Sequence, residues 1–348
     1  MTVTTRPRAT NDQAQDLVQQ PRAVFIGGSG QSGVSTLNLQ LGRHPGILTC
    51  HLETNIVVAP NGLMDVVRAI STDYSTQRLE LTLHEFDRLL HHHLCSPRSY
   101  PYSGFDLAGF FGKERYHRAV ELFIEEIGAI RHPGVGMTVG PSARIGEVHL
   151  PFKLKSLRLP GRLGRERTYL YHASRISEEA ALSAARRFLD RLFGATARAE
   201  GNFAWCEQTT NNQQFADFLL RLFPDGLYIN MTRDPLDVAI AHRAQAWAVP
   251  DFTRVCESLR DLLGRWFEVR DRLPAGSFVD VRFEDLVGEP EAELERVCLA
   301  IGVASPAQEH RWTPGPVALT RPRLAGMDLE VYRRILGSTA EVLGYAVP

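Results

Sequence analysis

The sequence predicts an α/β protein with a doubly wound, mostly parallel sheet flanked by helices. Residues 22–28 form an apolar run that leads into a glycine-rich turn and then into a helical pattern over 33–43. Further apolar runs typical of buried strands alternate with helical patterns along the chain, at 47–50, 203–207, 226–232 and 278–281. Strands that alternate with helices favour a parallel sheet with helices on both faces.

Helical periodicity predicts the elements that connect these strands. Over residues 63–94 apolar side chains recur every three or four positions, with Leu79, Leu83 and Phe86 on the buried face. A turn is predicted at 283–287, and the other predicted helices cover 117–130, 177–192, 213–223, 236–247, 252–272, 289–301 and 328–343. Residues 131–172 mix glycine, proline and short apolar runs, which indicates an insertion with a hairpin.

Length and segment composition bound the domain organisation. The chain has 348 residues, which is enough for one large α/β domain or two smaller ones. No internal repeat or linker divides it, so we expect one domain over 21–348 with an insertion around 95–175. The first 20 residues are polar and predict a disordered lead-in.

Composition argues against several classes of protein. The formal net charge is −1, so no basic field favours binding of nucleic acid. No apolar run reaches the roughly 18 residues of a membrane-spanning helix. The five cysteines form no CxxC pair, which favours a reducing cytoplasm and argues against zinc. Adjacent histidines at 91–93 point in different directions on a helix, so no metal site is expected there.

The glycine-rich turn at residues 27–33 is the first candidate site. Glycines let a backbone approach an anion closely, and the next helix presents its positive N-terminal end. Val34 stands where the lysine of a Walker A sequence would be, so the turn is P-loop-like but disfavours an ordinary P-loop kinase or ATPase. From the residues of this turn alone, a phosphate site and a plain strand-to-helix turn are both open.

Four segments together resemble the sulfotransferases that use 3′-phosphoadenosine 5′-phosphosulfate (PAPS), and the resemblance is to the bacterial and Golgi-type branch. They occur in the family's order and at plausible spacing, and the resemblance extends from the first strand to the closing VLGY at 342–345. The segments are the glycine loop at 27–37, WCEQTTNN at 205–212, RDPLDV at 233–238 and VRFEDLV at 281–287. The resemblance implies a nucleotide-binding fold, with PAPS as co-substrate and without a metal.

The resemblance also implies the residues of the donor site. Backbone N–H groups of the first loop would bind the 5′-phosphosulfate, and two hydroxyls could add hydrogen bonds. The corresponding residues are Gly30, Gln31, Ser32, Gly33, Val34, Ser35 and Thr36. Arg233 matches the arginine that grips the 3′-phosphate. The serine eight residues on is Ala241 here, which leaves Arg243, His242, Gln245 or the pair Arg321 and Arg323 to compensate.

The catalytic residues implied by the resemblance are only partly of the usual types. Glu53, after the second strand, corresponds to the general base that removes the acceptor's proton, although a surface glutamate is the plainer alternative. Gln31 and Gln208 occupy two positions where the family usually carries cations that stabilise the transferring group. An amide donates hydrogen bonds but carries no charge.

Three functions remain compatible with these residues. The first is sulfuryl transfer from PAPS to a hydroxyl or amine of a small molecule, a lipid or a glycan, with relocated cations such as Lys113, Lys153, Lys155 or an arginine of 158–167. The second is the same fold retooled for another transfer or condensation. The third is non-catalytic nucleotide binding. The first is favoured because the glycine loop, Glu53 and Arg233 are present together. The aromatic stretch 100–111 could be an acceptor lid or a satellite apolar cluster.

Overall fold

The computed structural model describes residues 20–95, 106–133, 144–145, 148–149, 169–246, 248–305 and 326–348. The strands within these ranges are β1 Arg22–Gly28, β2 Ile47–Thr49, β3 Ile130–Pro133, β4 Arg144–Ile145, β5 Val148–His149, β6 Tyr169–His172, β7 Ala204–Gln208, β8 Leu227–Thr232 and β9 Phe278–Arg282. Five of them form one sheet in the order β2-β7-β1-β8-β9, and every neighbouring pair is parallel. The predicted α/β fold class is confirmed.

Helices connect and cover these strands. The α-helices are α1 Val34–Leu41, α2 Leu63–Ile70, α3 Thr76–Arg88, α4 Leu107–Phe111, α5 Lys113–Glu126, α6 Glu178–Leu189, α7 Ala195–Glu200, α8 Ala216–Leu222, α9 Pro235–Arg243, α10 Phe252–Arg270, α11 Phe283–Gly288, α12 Pro290–Ile301 and α13 Gly326–Val342. Two π-helical segments, Leu89–His93 and Asp190–Gly194, continue α3 and α6, and a 3-10 segment, Thr210–Phe215, precedes α8.

Side chains of β1 alternate between two apolar cores, which places helices on both faces of the sheet. Ala23 and Phe25 belong to a core built with α2, α3, α5, α6 and α8. Val24 and Ile26 belong to the opposite core, built with α1, α11 and α12. Because β1 is covered on both faces, its sequence is a continuous apolar run. None of the described helices is apolar over a length that could cross a membrane.

The structure differs from the predicted elements at several boundaries. The pattern over 63–94 predicted one helical stretch, but two helices form, because the Ser71 hydroxyl bonds back to Val67 O and Ser75 caps the start of α3. The helix predicted over 117–130 starts at Lys113, and Ile130 begins β3 instead. The turn predicted at 283–287 is the short helix α11.

Part of the predicted insertion lies in described residues. β3 pairs with β6, and β4 pairs with β5, both antiparallel. The described part of the aromatic stretch contains α4, where Phe111 packs edge-on against Phe193 with ring centroids 4.8 Å apart. Tyr100 and Tyr102 lie outside the described residues, as do the lead-in over 1–19 and the rest of the insertion.

Candidate active site

The glycine loop lies at the carboxyl edge of the sheet, where open α/β sheets bind ligands. Gly30 and Gln31 have φ values of 76° and 50°, and Gly33, which caps α1, has φ 96°. The Gly33 cap makes no side-chain hydrogen bond, and the first turn of α1 carries no acidic residue. The first N–H groups of α1 therefore lack a side-chain acceptor at the cap, and an anion is the usual alternative partner for them.

Two glycines of this loop are required by their neighbours as well as by their φ angles. A Cβ on Gly33 would lie 2.3 Å from the Phe283 ring, and a Cβ on Gly30 would lie 2.8 Å from Nε2 of His242. The loop therefore packs closely against both Phe283 and His242.

The side chains of the loop are divided between the core and the surface. Ser32 and Val34 are buried, whereas Gln31 and Ser35 are exposed and Thr36 is half-buried. No partner among the described residues accepts or donates a hydrogen bond at the buried Ser32 Oγ. A loop with left-handed backbone, an uncapped helix start and a buried serine hydroxyl without a partner fits an anionic oxygen.

Gln208 lies at the end of β7, beside the start of α1. Its side chain is fully buried, and Nε2 donates to Ser35 Oγ over 3.0 Å. The amide therefore fixes the rotamer of a loop hydroxyl. The geometry gives Gln208 this positioning contact in the place where the resemblance implies a cation.

Arg233 follows β8 on the other side of the loop. Its Nη1 donates to Gln31 O over 3.1 Å, and its guanidinium lies 4.8 Å from the centroid of the Phe283 ring. Asp234 caps α9 and donates its own N–H to Glu284 over 2.9 Å. These contacts hold the Arg233 guanidinium against the glycine loop, as a phosphate-binding arginine requires.

Glu53 lies on the β7 side of the loop. Its Oε1 accepts hydrogen bonds from the hydroxyl of Thr210 and, over 3.2 Å, from the backbone N–H of the same residue. A Cβ on Gly30 would lie 3.7 Å from Thr210 Cγ2. Thr210 therefore links the carboxylate to the glycine loop, and Glu53 itself lies in the segment after β2.

A second carboxylate, Glu207, was missed by the sequence reasoning. It is fully buried and accepts hydrogen bonds from the hydroxyls of Thr54 and Thr209, the latter over 2.7 Å, and from Asn212 over 2.6 Å. Burial raises the pKa of Glu207, the three hydrogen bonds oppose this shift, and the Glu53 charge adds to it. The signal was available, because an acidic residue ends an otherwise apolar strand in a threonine- and asparagine-rich segment.

The candidate substitutes for the missing cations, and those for the serine that Ala241 replaces, lie only partly in described residues. Arg243 lies at the end of α9, where it donates to Asp328 over 2.8 Å and stacks 4.7 Å from the Phe252 ring centroid. Lys113 begins α5. Lys153, Lys155, residues 158–167, Arg321 and Arg323 lie outside the described residues.

The histidines at 91–93 lie in the π-helical continuation of α3. His91 stacks on His117 with ring centroids 5.3 Å apart, and its Nε2 lies 3.4 Å from Asp87. Burial lowers the pKa of His91, the Asp87 carboxylate opposes this shift, and the other neighbours add to it. Within the described ranges, no group of three or more His, Cys, Asp or Glu side chains is arranged to hold a metal ion.

The sequence profile described as Sulfotransferase family matches residues 143–307, slightly less than half of the chain. The matched range contains three of the four segments that carried the resemblance; the glycine loop and Glu53 precede it. This match confirms the predicted resemblance over these residues. No curated protein matches the chain.

Solved sulfotransferase structures are similar to this chain at low identity. The sulfotransferase domain of the Synechococcus PCC 7002 olefin synthase shares 14% identity at a TM-score of 0.43, covering 94% of this chain and 97% of that chain. The sulfotransferase STF9 from Mycobacterium avium shares 13% identity at a TM-score of 0.46, covering 94% of this chain and 78% of that chain. A sulfotransferase from Alicyclobacillus acidocaldarius shares 13% identity at a TM-score of 0.41, covering 94% of this chain and 98% of that chain.

Proposed function

We propose that this protein transfers a sulfuryl group from PAPS to a hydroxyl or amine of an acceptor. One observation carries the proposal: the uncapped start of α1 lies in a glycine loop flanked by Arg233 on one side and by Glu53 on the other. This arrangement supports a site in which backbone N–H groups bind an anion, Arg233 binds phosphate and Glu53 acts as a general base. The family match supports the reaction class.

The donor would lie along the glycine loop. The N–H groups from Gly30 to Ser35 would bind the 5′-phosphosulfate, and the hydroxyls of Ser35 and Thr36 would add donors. Arg233 would bind the 3′-phosphate through its two-pronged guanidinium. The donor supplies an activated sulfur joined to phosphate through a bridging oxygen.

Glu53 would act on the acceptor. Its carboxylate takes the proton of the acceptor hydroxyl or amine as that atom forms a bond to sulfur. The bond between sulfur and the bridging oxygen breaks, and adenosine 3′,5′-bisphosphate leaves with the electron pair. Thr210 holds the carboxylate in position through its hydroxyl and backbone N–H.

The proposed site lacks the usual positive charges at the bridging oxygen. Gln31 and Gln208 are neutral, and loss of one preorganised donor typically costs about 10²–10³ in rate. We therefore expect a slow enzyme unless one of the remaining basic residues reaches the site. The alternative, a retooled transfer or a non-catalytic nucleotide site, is favoured specifically by these two amides and Ala241.

The proposal is tested by calorimetric binding of adenosine 3′,5′-bisphosphate, with ATP and 5′-AMP as controls. We expect the wild type to bind this nucleotide with a micromolar Kd that depends on the 3′-phosphate. Arg233→Ala should weaken this binding by about 10²-fold or more. Arg260→Ala, an exposed arginine on α10, is the matched control. Equal binding of all three nucleotides, or none, would exclude the PAPS site and favour the alternative.

A further inference from the structure

A small cavity adjoins the glycine loop beside α9. Its volume is about 210 Å³, and the described residues that line it include Ser29 of the loop and His242 of α9. His242 is also the side chain that would meet a Cβ on Gly30. The cavity therefore opens close to Gly30, which Thr210, the hydrogen-bond partner of Glu53, also approaches.

The walls of this cavity are chiefly apolar. Val255, Leu259 and Leu262 of α10 contribute aliphatic side chains, of which the first two are buried. The one charged lining residue, Arg254, is exposed and pairs with Glu257 over 2.9 Å on the same helix. The other polar residues among the described lining are Ser29 and His242 at the loop end and Ser258 on α10.

The state of His242 suits a neutral hydrogen-bonding role. Burial lowers the pKa of this imidazole, although hydrogen bonds with the backbone of Gly30 and Ser29 oppose the shift. The ring is therefore mainly uncharged at neutral pH. An uncharged imidazole carries one donor and one acceptor nitrogen, so it can bond a hydroxyl without the cost of burying a charge.

We propose that this cavity is the acceptor pocket and that it takes a compact aryl or alkyl alcohol, with His242 contacting the hydroxyl group. The proposal rests on the sulfuryl transfer proposed above. Apolar walls with a few polar groups at one end bind a ligand with an apolar body and a polar head. A sugar would leave many hydroxyls against the aliphatic side chains of α10 without partners, at a cost for each.

The size of the cavity limits the acceptor further. Pockets for drug-sized ligands occupy roughly 300–1,000 Å³. A volume of about 210 Å³ suits a body of one or two rings. A hydroxyl at the loop end would lie near Gly30, whose neighbour Thr210 holds the Glu53 carboxylate.

The probe for this pocket is 2-naphthol, titrated by calorimetry in the presence and absence of adenosine 3′,5′-bisphosphate. Ser258 is an exposed residue of α10 that lines the cavity, so Ser258→Trp fills the cavity without replacing a core side chain. We expect this variant to bind 2-naphthol at least tenfold more weakly than the wild type. Arg260→Trp is the matched control, because it lies about 200° around the same helix.

A second arm tests the role of His242. We expect the wild type to prefer 2-naphthol to 2-methoxynaphthalene about fivefold or more, and His242→Leu to lose that preference. Thermal unfolding of each variant checks that it is folded. Equal 2-naphthol binding by wild type and Ser258→Trp, no binding by the wild type, or tighter binding of a methyl glycoside would overturn the acceptor pocket. Loss of nucleotide binding alone would instead overturn the proposed donor site.

Discussion

The two flanks of the glycine loop have opposite chemistry. On the β8 side, Arg233 lies against Gln31 and Phe283 and supplies a fixed positive charge. On the β7 side, Gln208 is neutral, and the fixed charge is the Glu53 carboxylate. Both flanks are built at strand ends, yet only one is suited to hold an anion.

This difference separates binding from chemistry. The β8 flank has the cation that a phosphate needs, so it can hold the donor. The β7 flank has a carboxylate that can act as a base, and the apolar cavity lined by α9 and α10 opens beside Gly30, which Thr210 also approaches, so an acceptor could be held and activated there. A site divided in this way predicts that variants on the two flanks affect different measured quantities.

The largest effect expected from the β7 flank is that of Glu53→Gln. The amide keeps the size of the side chain and can still accept from Thr210, but it cannot take the acceptor's proton. We expect kcat to fall by about 10²–10⁴ while binding of adenosine 3′,5′-bisphosphate is unchanged. Transfer of labelled sulfate from PAPS to the acceptor measures this, beside nucleotide calorimetry.

An exposed glutamate of α5 provides the control for this change. Glu114→Gln removes the same charge at a position in the first turn of that helix. Its kcat should equal that of the wild type. Full activity of Glu53→Gln would show that another group accepts the proton. The β7 flank would then have no assigned catalytic role.

A smaller effect is expected when positive charge is added to the loop. Gln31 is exposed and already has a left-handed backbone, so Gln31→Arg adds a cation without a new backbone demand. If the site transfers sulfate but lacks charge, the rate should rise about tenfold or more. Steady-state sulfate transfer at fixed pH measures the change.

Gln77→Arg tests whether net charge alone explains such a gain. Gln77 is an exposed residue in the first turn of α3. We expect no change in rate from this variant. A lower rate in Gln31→Arg would indicate a pocket adapted to a different reaction.

The smallest expected effects concern stability, through Glu207. Because burial raises its pKa in the folded state, the folded protein binds this proton more tightly than the unfolded chain. The free energy of unfolding should therefore fall as the pH rises from about 4.5, the ordinary value, to the raised one. Glu207→Gln should flatten this slope, which urea titrations across pH can measure.

Glu207→Leu separates the charge from the hydrogen bonds. It leaves the donors of Thr54, Thr209 and Asn212 without their common acceptor, so we expect a loss of about 1–3 kcal/mol in unfolding free energy. If Glu207→Leu has the same unfolding free energy as Glu207→Gln, these hydrogen bonds contribute little to stability. The segment that carries Glu53 would then need another anchor.

Much of the sheet could be predicted because its strands are continuous apolar runs. Each predicted strand of the main sheet forms within one or two residues of its predicted bounds, and the glycine loop and Arg233 lie at the strand ends that the alternation implies. Helix boundaries were less predictable. Local bonds such as Ser71 to Val67 O decide where a helix stops, and apolar periodicity carries no signal for them.

The sequence by itself determined the fold class, the glycine-rich turn between the first strand and helix, and the absence of a lysine there, since these follow from local patterns of residue type. Only the tertiary structure decided which groups face one another. Glu207 joins Thr54 across 153 positions, and Arg233 meets Gln31 across 202. His242 reaches Gly30 in the same way, by packing of α9 against the loop. Contacts across such separations depend on the order of strands in the sheet, which a single sequence does not encode locally.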